Sequence, residues 1–282
     1  MNVVSLFDGI SCGQVALNRA GIKVKKYYAS EIDNSCIKIT QNNFPNTIQL
    51  GDVKKVNGED LKKIDLLMAG TPCQDFSSFK PNGLGLKGKK SILFYEFLKV
   101  KWEIEPKYFL FENVRMKKVW RDVITKELGV EPIEINSADF SAQNRRRLYW
   151  TNIPISRRLN KDIRFKDILE DLPFREIPKC FFTKWGDKKR IDKGLNWVKN
   201  KKGNCLTTKN CHTNQYLLNA DKTKIRLLTT REYELLQTLP IDYTKGISDS
   251  ERFKCIGNGW TIDVIAHIFK KLNEVKPNSS QP

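Results

Sequence analysis

Cys73 is the residue of this sequence best placed to form a bond with a substrate. It stands in Gly70-Thr71-Pro72-Cys73-Gln74-Asp75-Phe76-Ser77, directly after the apolar run Ile64-Asp65-Leu66-Leu67-Met68-Ala69. That run reads as a short buried strand, and α/β folds place their chemistry at the exits of such strands. Cysteine is the strongest side-chain nucleophile near neutral pH, because modest changes in its surroundings raise the thiolate fraction. A lone cysteine in a strand-rich region is as readily an inert core thiol, so its companions decide.

Phe7-Asp8-Gly9-Ile10-Ser11-Cys12-Gly13-Gln14 lies between an apolar strand and a helical stretch. Gly9 and Gly13 let the backbone turn tightly and approach a ligand at a helix start. The G-x-G-x-x-G spacing is absent, which weighs against a nicotinamide cofactor. Glu31 ends a second strand, where an acid suits the two hydroxyls of a ribose, although a helix N-terminus also attracts carboxylates. Gly51-Asp52-Val53 adds a third loop whose acid could accept an adenine amino proton. Together the three loops suggest a nucleoside cofactor without phosphates. Glu112 emerges from Tyr108-Phe109-Leu110-Phe111, so its carboxylate begins partly desolvated, which favours a proton-donor role. In Gln143-Asn144-Arg145-Arg146-Arg147 an extended chain puts Gln143, Arg145 and Arg147 on one side and Arg146 on the other. Arginines so placed suit an oxygen or phosphate, or a solvated edge.

The elements that must carry these residues alternate. Strands are expected at Val3–Leu6, Lys26–Ser30, Ile64–Ala69, Tyr108–Phe111 and Leu148–Ile153, with a further extended stretch at Glu131–Ile135. Helices are expected at Gly13–Ala20, from Asn34 as cap towards Phe44, at Leu93–Ile104, and at Val119–Leu128 closed by Gly129. This is the pattern of a doubly wound, mostly parallel α/β sheet. From about Ser156 to Lys224 the periodicity fades. Ten Lys or Arg face two Asp between Lys179 and Lys209, with Phe181, Phe182, Trp185 and Trp197 among them. Cations interleaved with aromatics suit a phosphate backbone and its bases; a solvated surface over a few core aromatics is the plainer reading. Helical pattern returns at Thr230–Leu239 and Thr261–Leu272.

Composition sets the partners. A hydrophobic content of 40% and six tryptophans describe a folded chain, and 50 Lys+Arg against 32 Asp+Glu give a net charge of +18. Such an excess favours nucleic acid over a membrane, since no long apolar or basic amphipathic helix accompanies it. Seven scattered cysteines do not make a disulfide framework. Together with a first segment that is already a strand, they lead to an expected cytoplasmic location, bacterial or that of a phage's host. Cys180, Cys205, Cys211 and His212 lack Cys-x-x-Cys spacing, so no metal is expected.

Phe7-Asp8-Gly9, Glu31, Asp52-Val53, Thr71-Pro72-Cys73-Gln74, Glu112-Asn113-Val114 and Gln143-Asn144-Arg145-Arg146-Arg147 occur in the order found in the DNA cytosine-5 methyltransferases, which the sequence resembles. Arg226-Leu227-Leu228-Thr229-Thr230-Arg231-Glu232, Leu236-Gln237-Thr238-Leu239-Pro240 and Ile256-Gly257-Asn258-Gly259-Trp260 extend the match. It covers residues 3–153 and 226–272, and its layout is most similar to small phage or bacterial modification enzymes and to de novo animal methyltransferase catalytic domains. Many relatives carry Pro-Pro-Cys-Gln where this chain has Thr71-Pro72-Cys73-Gln74. Gly88-Lys89-Lys90-Ser91 replaces their usual Gly-Arg-Gly.

The resemblance implies a Rossmann-like S-adenosylmethionine-dependent fold with a small irregular target-recognition lobe. Its implied parts are a catalytic domain at 1–155, a recognition region at 156–225 and a returning segment at 226–276. It implies methylation of cytosine C5 in double-stranded DNA with S-adenosylmethionine as cofactor. Cys73 would add to C6, Glu112 would hold N3 and the amino group, and Arg147 with Arg145 would hold O2 or a phosphate. The target base would be flipped from the helix, under a mobile basic loop at Gln74–Lys90. Phe7, Asp8, Gly9, Ser11 and Gly13 would embrace the methionine part of the cofactor, Glu31 the ribose, and Ile32, Asp52 and Val53 the adenine. Leu93, Thr261 and Asn258, on a Gly257–Gly259 turn, would close the pocket as the C-terminal segment returns to the first strand. A restriction endonuclease counterpart is compatible with such an enzyme. The alternatives are a tRNA cytosine-5 methyltransferase on the same scaffold and a non-catalytic DNA-binding paralogue.

Overall fold

The computed structural model describes residues 1–61, 63–72, 93–155, 160–176, 196–197, 202–206, 216–219 and 223–273. The chain divides into two compact units. The first holds Met1–Ile135, Arg146–Arg157 and Ile262–Pro282; the second holds Asn136–Arg145 and Arg158–Thr261. Segment 226–276 is thus divided at Thr261 between the two.

A seven-stranded sheet is built from β1 (Asn2–Leu6), β2 (Lys26–Ser30), β3 (Ile48–Gln49), β4 (Leu66–Gly70), β5 (Tyr108–Val114), β6 (Ile133–Asn136) and β7 (Arg146–Thr151). Its order is β3-β2-β1-β4-β5-β7-β6. The pairs β1–β2, β1–β4, β2–β3 and β4–β5 are parallel, and β7 runs antiparallel to β5. The winding reverses between β1 and β4, which makes the carboxyl ends of those strands the crevice where such sheets take ligands. Helices among the described residues are α1 (Cys12–Arg19), α2 (Asn34–Asn43), α3 (Leu93–Ile104), α4 (Lys118–Leu128), α5 (Thr230–Leu236), α6 (Asp249–Asn258) and α7 (Ile262–Phe269).

Side chains alternate across each strand, and the two faces of the sheet are covered differently. Val4, Leu6, Leu67, Ala69, Phe109 and Phe111 are buried together with Phe94 and Phe97 of α3 and Ile124 and Leu128 of α4. The Phe111 ring lies 4.9 Å from Phe97, 5.2 Å from Phe94 and 5.7 Å from Trp150, centroid to centroid. On the opposite face Met68 reaches α1 so closely that a Cβ on Gly13 would come within 2.4 Å of its Cε. Alongside α1 packs α7, tied by the Arg19–Asp263 ion pair and by a 2.8 Å bond from Asn273 Nδ2 to Ala20 O.

The structure moves several expected boundaries. Asp33, not Asn34, caps α2 by accepting from Ser35 N. The fourth strand begins at Leu66, because Asp65 turns back to accept from Asn2 N. The last strand runs Arg146–Thr151 and so includes two of the arginines. The C-terminal helix packs on α1 within the first unit, and Asn258 ends a helix rather than sitting on a turn. The expected Gln74–Lys90 loop lies outside the described residues.

In the second unit β8 (Arg175–Glu176), β9 (Asn196–Trp197), β10 (Tyr216–Leu218) and β11 (Lys224–Leu227) form a small sheet in the order β8-β11-β10-β9. Its helices α5 and α6 start with reciprocal caps, Thr229 with Glu232 and Ser248 with Glu251. Buried ion pairs brace the unit: Arg226 to Glu232 at 2.6 Å and Arg252 to Glu234 at 3.2 Å.

Phe111 is the centre of the aromatic cluster and the neighbour of Glu112. Replacing Phe111 with Ala is expected to cost about 3–5 kcal/mol of stability, as for a fully buried ring left as a cavity. Denaturant unfolding of the full chain measures it.

Candidate functional site

Three loops meet at the carboxyl ends of β1, β2 and β3, all within the first unit. The one after β1 is unusual in its backbone: Phe7, Gly9 and Ser11 all take left-handed φ, at 58°, 59° and 55°. Glycine accepts that conformation freely, whereas Phe7 and Ser11 carry a strain of order 1 kcal/mol each. Side chains hold the loop in place. Ser11 Oγ donates to Asp8 Oδ2, so this hydroxyl does not cap α1. Tyr27 Oη, from within β2, donates to Asp8 Oδ1 at 2.7 Å. The Ser11 hydroxyl also accepts from Gln14 Nε2 and Thr40 Oγ1, each at 3.2 Å.

Glu31 clamps the same loop from the end of β2. Its Oε2 accepts from Gly9 N at 2.8 Å, and its Oε1 accepts from Ile32 N at 2.7 Å and Asp33 N at 2.9 Å. Ser30 Oγ donates to Gly51 O at 2.7 Å, binding the third loop to the second. Asp52 Oδ1 accepts from Lys54 N at 3.0 Å and so starts the short turn that buries Val53. Beside this framework Ile32 stands 71% exposed. Among the described residues nothing lies within 4 Å of where a Cβ on Gly9 or Gly51 would be.

Burial holds the Asp8 carboxyl well above the ordinary range, at about 6 against 3.8. Hydrogen bonds from Ser11, Ser5 and Tyr27 work against that rise, and the Glu31 charge adds to it. Two glycines with open space beside them, two acids and an exposed apolar side chain thus stand together at the ends of these strands.

A second group of residues gathers at the ends of β4 and β5. The register sets Gly70 opposite Glu112, and Asn113 Nδ2 donates to Thr71 Oγ1 at 3.0 Å, fixing the residue after Gly70. Glu112 is buried, and Arg147 Nε lies 3.1 Å from its Oε1. This is a diagonal pair across antiparallel strands, since Glu112 faces Tyr149 and Val114 faces Arg147. Arg146 points elsewhere, to Glu134 at 3.0 Å. Cys73 follows Thr71-Pro72 in the chain and lies outside the described residues. Leu93 begins α3 and packs partly buried on the core.

Arg145 belongs to the second unit and is 5% exposed. Its Nη2 donates to Gly259 O at 3.1 Å and Gly257 O at 3.4 Å, while Nη1 reaches Leu206 O at 3.4 Å. Gln143 is fully buried there and accepts from Leu206 N at 2.9 Å while donating to Leu236 O at 3.1 Å. Thr261 Oγ1 donates to Gln237 Oε1 at 2.7 Å and accepts from Ser137 Oγ at 2.9 Å. Asn258 is exposed at the end of α6. The structure therefore brings Arg147 to Glu112, whereas the Arg145 guanidinium serves carbonyls of its own unit. Sequence reasoning missed Tyr27, one of two tyrosines in β2. Only knowledge of which strand face meets α1 separates it from Tyr28.

The family model described as C-5 cytosine-specific DNA methylase matches residues 1–171 and 175–274. The Type II methyltransferase M1.ScrFI of Lactococcus lactis subsp. cremoris is 27% identical over 312 residues, covering 99% of this chain and 79% of that protein. The orphan methyltransferase M.SPRI of Bacillus phage SPR is 28% identical over 285 residues, covering 92% of this chain and 60% of that protein. Among solved structures, the Entamoeba histolytica methyltransferase EhMeth superposes with a TM-score of 0.78 at 18% identity, over 98% of this chain and 99% of that one. The fold is thus the Rossmann-like one of these methyltransferases.

Two measurements test the site. Because the folded state holds the Asp8 proton more tightly than the unfolded chain, the associated stability is complete below pH 3.8 and is lost as pH rises through about 6. Relative to Asp8→Asn, the native protein should therefore lose about 2–2.5 kcal/mol of stability between pH 4 and pH 7, read by unfolding at several pH values. Replacing Arg145 with Met strands buried carbonyls, at a cost of about 2–3 kcal/mol. It should also speed amide exchange around Gly257–Thr261, followed by mass spectrometry.

Proposed function

The chain belongs to the C-5 cytosine-specific DNA methylase family and is by that membership a DNA cytosine-5 methyltransferase; from this premise we propose which of its residues perform the transfer and how. Cytosine C5 is too weak a nucleophile to take a methyl group unaided. Cys73 adds as thiolate to C6 of the target base, which breaks the aromaticity and turns C4–C5 into an enamine. Glu112 holds N3 and the exocyclic amino group, stabilising the adduct as charge develops. Arg147 keeps the Glu112 carboxylate oriented and offers its remaining N–H groups to the base O2 or a flanking phosphate. S-adenosylmethionine, when bound, supplies the methyl group as an electrophile on a sulfonium, which C5 takes. Loss of the C5 proton to a base then expels Cys73 and restores the ring.

The single observation that carries this reading is the Glu112–Arg147 pair, 3.1 Å apart, set opposite the strand that leads into Thr71-Pro72-Cys73. The cofactor is held by Phe7, Asp8, Gly9, Ser11 and Gly13 at the methionine end and by Glu31 at the ribose. Ile32, Asp52 and Val53 take the adenine, with Leu93 beyond. Asn258 and Thr261 belong to the other unit, and their share in the pocket rests on the resemblance alone. Double-stranded DNA is the substrate that the charge of +18 supports. The reading places the protein in the cytoplasm, bacterial or that of a phage's host. Among the described residues no helix is long and apolar enough to cross a membrane.

Tritium transfer from labelled S-adenosylmethionine should appear in duplex DNA and be absent with Cys73→Ala, which should still bind the cofactor. An oligonucleotide with 5-fluorocytosine in the recognised context should trap a covalent complex, since fluorine cannot leave as the proton does. Label on tRNA alone, or unchanged methylation by Cys73→Ala, overturns the assignment.

A further inference from the structure

Tyr27 has no part in the chemistry described above, yet it occupies a singular place. It is 3% exposed in the middle of β2, and its hydroxyl meets the carboxylate of Asp8. A Cβ on Gly13 would approach that hydroxyl to 3.1 Å, so α1 packs over it and leaves the phenol little room to turn away. Asp8 in turn receives the hydroxyl of Ser11, which is linked through Gln14 to Thr47 Oγ1 at 2.8 Å and directly to Thr40. Groups from three elements thus converge on one loop, and Tyr27 is the member anchored in the sheet.

The loop needs such an anchor. Two non-glycine residues in left-handed backbone flank Asp8 within five positions, and strain of this kind persists only where surrounding contacts enforce it. From the far end of β2 Glu31 accepts the Gly9 amide. One strand therefore grips the loop twice, at Asp8 through Tyr27 and at Gly9 through Glu31. We propose that Tyr27 is a positioning residue for methyl transfer, its phenol fixing the Asp8 carboxylate and with it the loop from Phe7 to Ser11 that receives S-adenosylmethionine. The proposal rests on the cofactor site assigned above.

The groups that face Asp8 are Ser5 from β1, Tyr27 and Glu31 from β2, and Ser11 at the start of α1. Three are neutral donors that favour the ionised form, and Glu31 opposes it. Removing the Tyr27 hydroxyl withdraws one of the supports of the anion, so the carboxylate will take up its proton at higher pH. A cationic ligand then loses its attraction earlier as the solution is acidified.

Calorimetric titration of the full-length chain with S-adenosylmethionine, without DNA and at several pH values, tests this. The native protein should bind with an affinity that falls below pH of about 6. Tyr27→Phe keeps the ring and should melt cooperatively. It should bind about tenfold more weakly at neutral pH, as for one lost hydrogen bond to a charged group, and its acid limb should move upward. In turnover the cofactor KM should rise while kcat changes little. Equal affinities at every pH, or a weakening that is the same at all pH, overturn the proposal while leaving the cofactor site standing. Failure of the native protein to bind overturns both. Should Tyr27→Phe not fold, Asp8→Asn must flatten the acid limb of the native protein, and a limb that persists overturns the proposal.

Discussion

Parallel pairing of β1 with β2 on one side and β4 on the other is the constraint on which the site depends. In a parallel sheet neighbouring strands end at the same edge, so whatever follows each strand is delivered to that edge without any further device. Asp8 follows β1, Glu31 follows β2, Thr71-Pro72 follows β4, and Glu112 lies near the end of β5. The register of β4 on β5 then sets Gly70 opposite Glu112. Aromatic packing around Phe111, one residue from Glu112, fixes that register on the buried face. The core does more here than stabilise: a slip by one residue would turn Glu112 inward and present Phe111 to the site.

Within this frame the chain treats its buried and half-buried acids in three ways. Glu112, Glu232 and Glu234 are each met by an arginine. Glu31 is met by backbone amides. Asp8 is met by hydroxyls. A guanidinium neutralises a carboxylate and fixes its plane, which suits a braced fold or an oriented catalytic acid. Amides fix position while leaving lone pairs for a ligand. Hydroxyls solvate without neutralising.

Much of this was legible in the sequence, and the gaps have physical causes. Apolar runs such as Leu66–Ala69 and Tyr108–Phe111 announce strands because both faces of a parallel sheet are buried. Glu31 stands out because a polar residue directly after a strand emerges at the sheet edge, and Glu112 because it follows four apolar residues near the end of β5. Helix α6 was missed because Asp249–Lys254 shows little apolar periodicity; the Ser248 and Glu251 capping pair was the available signal. Arg145 and Arg147 looked alike because alternation sets them on one side of an extended chain. The chain passes between its two compact units at Arg145–Arg146, so equal spacing leads to different partners. Tyr27 and Tyr28 differ only in which face they present, and a strand with apolar residues on both faces gives no hint of that.

The treatment of Asp8 sets the charge of the loop after β1. An arginine beside it would have secured the loop equally well and would have lowered the cost of burial. It would also have cancelled the negative charge of the carboxylate. Hydroxyls from Ser5, Ser11 and Tyr27 provide directional bonds and no positive charge, and the charge that acts on Asp8 is the like charge of Glu31. The loop is therefore held by directional bonds that leave the charge of Asp8 uncompensated. Burial is what raises the proton affinity of Asp8, the Glu31 charge adds to it, and the hydroxyls offset it only in part because they bring no positive charge.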